Sequence, residues 1–208
     1  MSIVVRDVLE HELDSVLALN NAAGPAILPL DAARLRHFFD NAEYFRVAER
    51  DDTLAGFLIG VGSGTAHDSS NFRWFRERHP DFFYIDRIVV ASRRRGGGVG
   101  RALYADAQSY SELRYPQMAC EVFLEDANDP VLLFHGSFGF REIGQHVMPE
   151  ASGVRAAMLM KSLCSYPWVR EIYGDALPQE AWLPRPRPQT VVPAGLEQRP
   201  TGTWGTSS

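Results

Sequence analysis

The stretch SRRRGGGVGRAL, Ser92 to Leu103, decides how this chain reads. Arg93, Arg94 and Arg95 run into Gly96, Gly97 and Gly98, and Val99, Gly100 and Arg101 follow. Before it, FFYIDRIVV (Phe82 to Val90) is rich in β-branched and aromatic residues and reads as a strand. After it, Val99, Leu103, Ala107, Tyr110 and Leu113 recur at helical spacing. A strand, a glycine turn and a helix start make an anion site. The first-turn N–H groups have no intrahelical partner, and the helix dipole adds about half a positive charge. Glycines let the backbone approach the anion closely, and arginines add charge and paired hydrogen bonds. The expected ligand carries more than one phosphate.

Two phosphate motifs are excluded by spacing. A Walker loop needs G-x-x-x-x-G-K-[ST], and no lysine or hydroxyl stands at the required place. The dinucleotide pattern G-x-G-x-x-G fails from Gly96, where Arg101 is sixth, and from Gly98, where Leu103 is sixth. Glu121 lies at roughly the distance of the ribose-binding acid in that motif, which keeps a nucleotide-binding module as an alternative.

Outward from the turn, the chain reads as an α/β domain. Ile3–Asp7 is a short strand, and Leu9, Leu13, Val16 and Leu17 mark a helix. LDAARLRHFFDN is a second helix. YFRVAERD and TLAGFLIGVG form a hairpin about Asp51-Asp52. A long loop runs from Ser63 to Asp81, with Phe72, Trp74 and Phe75 packing on something. MACEVFL is a strand. DPVLLFHGSF is a short helix that Asp129 and Pro130 can open and Gly139 can close. FREIGQHVM and VRAAMLMKSL are the last strands. The order β α α β β β α β α β β predicts a mixed sheet with helices on both faces.

The 208 residues suit one domain with some chain to spare. Hydrophobic residues make up 45% and charged ones 23%, ordinary for a globular protein. A net charge of -5 disfavours nucleic acid and membrane surfaces as partners. Cys120 and Cys164 have no metal or redox spacing, and Cys120 in an apolar run reads as a buried thiol. MSIVVRDVLEHELD turns acidic at once, without the apolar region of a signal peptide, and no run reaches membrane length. The expected location is the cytoplasm. After Leu163 prolines accumulate, and PRPRPQTVVPAGLEQRPTGTWGTSS reads as an extended tail. YPWVREIYGDALPQEAW before it has the aromatics to dock on the core.

Arg95-Gly96-Gly97-Gly98-Val99-Gly100 fits R-x-x-G-x-G, and here the chain resembles the GNAT superfamily of acetyl-CoA-dependent N-acyltransferases. NDPVLLFHGSFGF agrees with the superfamily's downstream pattern: Asn128, an apolar helix with Phe134, then Gly139-Phe140 opening a strand. The resemblance implies a mixed, mostly antiparallel sheet over residues 1–163, followed by an extension over 164–208. It implies that backbone N–H groups from Arg95 to Arg101 hold the pyrophosphate of coenzyme A. Ile88, Val89 and Val90 would border the pantetheine, Val90 bonding it and helping to polarise the thioester, with Asn128, Phe134 and His135 on the other side. The implied partners are acetyl-CoA as acyl donor and a small-molecule or peptide amine. Dimers are common in the superfamily; the sequence carries no sign of one.

Amide formation needs a base, because a free alkylamine has a pKa near ~10. It also needs donors for the oxyanion and a proton for the leaving thiolate. Asp86 and Glu121 are the candidate bases. Strand alternation puts Asp86 on one face with Tyr84, Ile88 and Val90, and Glu121 is similar to a strand glutamate used as base by some superfamily members. A carboxylate in an apolar strand needs a partner or a cleft. For the acid, many members have a tyrosine seven residues after the asparagine, where this chain has His135. The helix end would favour its imidazolium; Tyr84 is the substitute. His67, His79 and His146 read as loop or surface residues. A module that binds acetyl-CoA without turnover, as a sensor or assembly element, is the rival reading.

Overall fold

The computed structural model describes residues 2–24, 27–124, 129–151, 153–174, 176–180, 183 and 185–187. Seven strands form one sheet: β1 (Ile3–Asp7), β2 (Tyr44–Arg50), β3 (Thr53–Gly62), β4 (Phe83–Val90), β5 (Gln117–Phe123), β6 (Arg141–Met148) and β7 (Val154–Ser162). Their spatial order is β1-β2-β3-β4-β5-β7-β6, and every neighbouring pair is antiparallel except β4 with β5. The hairpin between β2 and β3 turns at Asp51 and Asp52, both left-handed with φ of 54° and 56°. That is the geometry a two-residue turn needs to match strand twist.

Among the described residues, six α-helices accompany the sheet. One face carries α1 (Leu13–Asn21), α2 (Ala32–Asn41) and α3 (Ser70–Arg76); their buried Val16, Leu35, Phe38, Phe72 and Phe75 pack on Phe45, Phe57, Tyr84 and Ala119. The other face carries α4 (Val99–Ser111) and α5 (Asp129–Ser137), with α6 (Tyr166–Tyr173) after the last strand. In α4 the expected Val99, Leu103, Ala107 and Tyr110 are buried, as is Tyr104, while Leu113 lies beyond the helix and is half-buried. Cys120 is buried and Cys164 exposed.

Three local expectations are corrected. The long loop holds α3. Ser69 caps it, accepting from Phe72 N at 3.4 Å, and Phe72 and Phe75 turn one stripe inward. The alternation in β4 is broken. Ile59 of β3 pairs with Arg87 and the next residue, Gly60, with Ile85, so Asp86 is a bulge. An extra residue flips every side chain after it. Ile88 and Val90 therefore pack on the α4 face, and Val89 joins Tyr84 on the α1–α3 face. Finally, His67 lies in the loop before α3 but not at the surface: its side chain is 3% exposed.

Beyond β7, Val169 of α6 is buried. Further on, Arg187 reaches back to the first face. Its N–H donates to the Glu43 carbonyl at 2.8 Å, and its guanidinium lies 3.8 Å from the Phe39 ring centre. Residues 188–208, with the proline-rich tail, lie outside the described residues, as does Asn128.

Candidate active site

The sheet has a seam. β4 and β5 pair only through Phe83 with Met118 and Tyr84 with Ala119. Beyond that point β4 still pairs with β3 as far as Val90, and β5 with β7 as far as Phe123. Their facing edges, however, share no further described pair. Unpaired strand edges present N–H and C=O groups that a ligand with amides can take up.

At the far end of β4 lies the glycine-arginine turn. Gly96 and Gly98 have φ of 74° and 87°, which a residue with a Cβ rarely adopts. Gly98 is the N-cap of α4 and supplies no side-chain cap. The first hydrogen bond across the helix start runs from Ala102 N to the Gly98 carbonyl, 3.0 Å. The N–H groups of Val99, Gly100 and Arg101 precede it and are free to face an anion. A Cβ on Gly100 would come 3.4 Å from Phe134 and 3.6 Å from Val90, ordinary contact distances, so α4, α5 and the strand end meet at this position. The arginines are partly engaged: Arg94 with Asp51 at 3.4 Å, Arg95 with the Ala23 carbonyl at 3.3 Å, Arg101 over the Phe138 ring. A cavity of about 640 Å³ opens here, between α1 and Val90–Arg94.

At the seam, two of the four candidate catalytic residues meet. The Tyr84 hydroxyl donates to Glu121 Oε2 at 2.7 Å. Burial pushes the Glu121 carboxyl up to about 7, the Asp86 charge adding to the rise and Tyr84 and Asn71 opposing it. Burial, and then the Glu121 charge, hold the Tyr84 phenol far above its ordinary value, so it stays a donor. Asn71 opens α3, is fully buried and lies beside Glu121. Its amide is near enough to Glu121 to favour the carboxylate, although among the described residues neither end makes a hydrogen bond of full geometry.

Asp86 is not free to act as a base. Burial alone would raise its pKa, but the Arg87 guanidinium at 2.7 Å and His67 Nε2 at 2.9 Å outweigh it and hold the carboxyl well below the usual range. His67 Nδ1 accepts from Ser69 N at 3.2 Å, so the proton sits on Nε2 and points at Asp86. Arg87 goes on to Asn20 Oδ1 at 2.9 Å and the Leu28 carbonyl at 3.3 Å. The carboxylate thus ties the bulge to α1 and its following loop.

The expectation for His135 is also corrected. It is 4% exposed, ringed by Tyr104, Phe134 and Phe140, and burial pushes its pKa down, outweighing the helix end. Nδ1 lies 2.7 Å from the Val131 carbonyl and must donate to it, which leaves Nε2 without a proton. A neutral imidazole in this tautomer carries no Nε2 proton to give, and its surroundings are those of a packing residue. His135→Phe is accordingly expected to keep kcat within about twofold, with the alkaline limb of the rate profile in place. A tenfold drop would restore the acid role.

Asn71, His67 and the arginines of α3 escaped the sequence reading. The available signal was Ser69 before Phe72 and Phe75, a cap followed by an i, i+3 apolar pair.

Residues 13–140 match the model of the Acetyltransferase (GNAT) family. The chain belongs to that family. The structure is similar to Ard1 from Thermoplasma volcanium (18% identity, TM-score 0.62), covering 78% of this chain and 99% of that one. It is similar to the ribosomal-protein-alanine N-acetyltransferase from Brucella melitensis (25% identity, TM-score 0.58; 77% and 99% covered). It is also similar to Arabidopsis thaliana Naa50 in complex with the bisubstrate analogue CoA-Ac-MVNAL (16% identity, TM-score 0.59; 78% and 99% covered). No curated protein matches the sequence. The protein is a GNAT acetyltransferase with the family's mixed, mostly antiparallel sheet. No helix among its described residues is long and apolar enough to cross a membrane.

Proposed function

We propose that this acetyltransferase moves an acetyl group from acetyl-CoA to a primary amine, with Glu121 as the base. The observation that carries the reading is the seam: a half-buried carboxyl, lifted to about 7 by loss of solvent and held by Tyr84, where β4 and β5 part. A base poised near neutral pH combines a useful deprotonated fraction with driving force to take a proton. When bound, acetyl-CoA supplies the activated acyl carbon. The uncapped start of α4, with the backbone from Arg95 to Arg101, suits its pyrophosphate, and the facing edges of β4 and β5 suit the amides of its pantetheine.

The protein's own groups then divide the work. Glu121 takes the amine's proton, directly or through a water. Tyr84 fixes the orientation of that carboxyl and remains protonated throughout. Asp86, with Arg87 and His67, holds the bulge that turns Val89 to one face and Ile88 and Val90 to the other. Phe134 keeps α5 against the turn.

The test is release of free thiol from acetyl-CoA with a panel of amines. Bound coenzyme A with no release from any amine would instead favour a sensor or assembly module. The phosphate-binding assignment has its own check. Gly98→Glu puts a carboxylate and a Cβ into a left-handed position at the helix start. It is expected to weaken coenzyme A binding by well over tenfold, more than ~1.4 kcal/mol. Unchanged affinity by calorimetry, with the fold retained, would remove the turn from the cofactor site.

A further inference from the structure

A groove of about 590 Å³ lies between α2 and the segment that leads into and through α3. Arg34 and His37 line it from α2, His67 and Asp68 from the loop, Arg73 and Arg76 from α3. Its inner end is His67, whose ring packs edge-on against Tyr84 with centres 5.6 Å apart. Tyr84 in turn holds Glu121. The groove therefore leads up to the aromatic wall behind the proposed base, on the face opposite α4 and its glycine turn.

The charges along it do not cancel. Three guanidiniums face one carboxylate, Asp68, and Arg34 already takes both of its oxygens, one at 2.5 Å. Asp86, the nearest acid beneath, is held by Arg87 and His67. Arg73 spends one N–H on the Asp68 backbone carbonyl at 2.6 Å, and Arg76 lies over the Phe72 ring at 5.7 Å. Both residues are exposed, and neither has an ion pair among the described residues. The chain as a whole is at -5, so this cationic lining runs against the bulk charge. An unneutralised pair of guanidiniums beside a slot is a carboxylate receptor: each offers two parallel N–H groups. The same pair repels a second positive charge on an acceptor.

We propose that the acceptor amine carries a carboxylate a few bonds from its nitrogen, and that Arg73 and Arg76 bind it. This rests on the reading of Glu121 as the base for an amine. The carboxylate supplies binding energy away from the reacting nitrogen and sets its distance from Glu121. Polyamines and lysine-rich peptides are the acceptors it excludes. A free acidic amino acid and a peptide with an acidic residue near its N-terminus share the required chemistry.

The experiment uses the full chain and two arms, each a matched pair. One pairs glutamate and aspartate with their fully amidated forms, in which neither carboxylate remains. The other pairs short peptides bearing Asp or Glu at the second position with the same peptides bearing Asn or Gln. At least tenfold higher kcat/KM for the carboxylate member is expected in one arm, and that arm names the source. The preference should shrink as salt rises and should disappear in R73E/R76E through KM, with coenzyme A affinity unchanged. Equal kcat/KM within both arms, or a preference that survives R73E/R76E, would overturn the proposal. If no amine is acetylated, failure of the transfer reading is separated by calorimetry of the coenzyme A complex with the acidic peptides. Binding that R73E/R76E abolishes still supports the carboxylate site, and binding indifferent to both arginines refutes it.

Discussion

Glu121→Gln is expected to lower kcat by about 10²-fold or more, within the range of a lost general base, while coenzyme A affinity stays unchanged. The glutamine keeps the volume and still accepts from the Tyr84 hydroxyl, so the site should stay assembled and lose only its proton acceptor. In the parent protein the rate should climb with pH through about 7, as the carboxyl ionises. In the variant that limb should flatten. A stability effect of opposite sign accompanies the loss. The folded pKa of about 7 lies above the ordinary 4.5, so folding favours the protonated form. From this group stability is greatest below about pH 4.5, declines between 4.5 and 7, and is flat above. The gap corresponds to about 3 kcal/mol. Glu121→Gln should therefore melt several degrees higher at pH 8 and show little difference at pH 4.5. Full activity with an intact acid limb would move deprotonation to bulk water. Absence of any stability gain at pH 8 would mean the carboxylate is better solvated than its surroundings imply.

Asp86→Ala should cost about 3–5 kcal/mol of stability, because it strands a buried cation. The three side chains are closed off, at 6% exposure for Asp86, 10% for Arg87 and 3% for His67. Without the carboxylate, Arg87 has only neutral partners, Asn20 and the Leu28 carbonyl, and the Nε2–H of His67 has nothing to donate to. Denaturant titration at neutral pH reads the loss; a change under about 1 kcal/mol would show that the charges are wet. The pH sign is the reverse of that for Glu121. A depressed aspartate contributes its full stability above the unfolded value of ~3.9, and the contribution fades as pH falls from there toward the folded value. Asp86→Asn should be milder, since its amide oxygen can still accept from one partner.

Much of the frame is legible in the sequence because it depends on repeated signals. The strand, glycine turn and helix from Phe82 onward combine three periodicities, and the α4 stripe, the Asp51-Asp52 turn and the stop at Gly139 each follow local rules. Features without a repeat are not legible. The bulge at Asp86 is one residue of strand register within YIDRIVV, with no glycine or proline to mark it, yet it reassigns three side chains to new faces. The helix α3 has seven residues, fewer than a hydrophobic period needs to declare itself. The low pKa of His135 and the burial of His67 depend on neighbours from distant segments: Tyr104 for one, Tyr84 and Asp86 for the other. Of the residues proposed to work on the substrate, Glu121 and Tyr84 could be named from their strands. The meeting of their side chains follows from β4 lying beside β5, which a crossover through α4 brings about.

The seam also divides the molecule as a folding problem. β1 to β4 form a ladder in which β2, β3 and β4 each lie beside the strand before them, and the β2–β3 hairpin is its local nucleus, while β1 and β4 join from farther along the chain. The half made of β5, β7 and β6 is built in the same way: β6 and β7 pair locally, and β5 bypasses β6 to join β7 across a span like that between β1 and β2. Contacts that are distant in sequence pay their entropy before they return stability, and form late. With two residue pairs to join the halves, backbone bonding adds little to their union, and the task falls to the side chains of α3, α4 and α5. An acyl donor lying along the seam would then act as the missing rung between two separately built units.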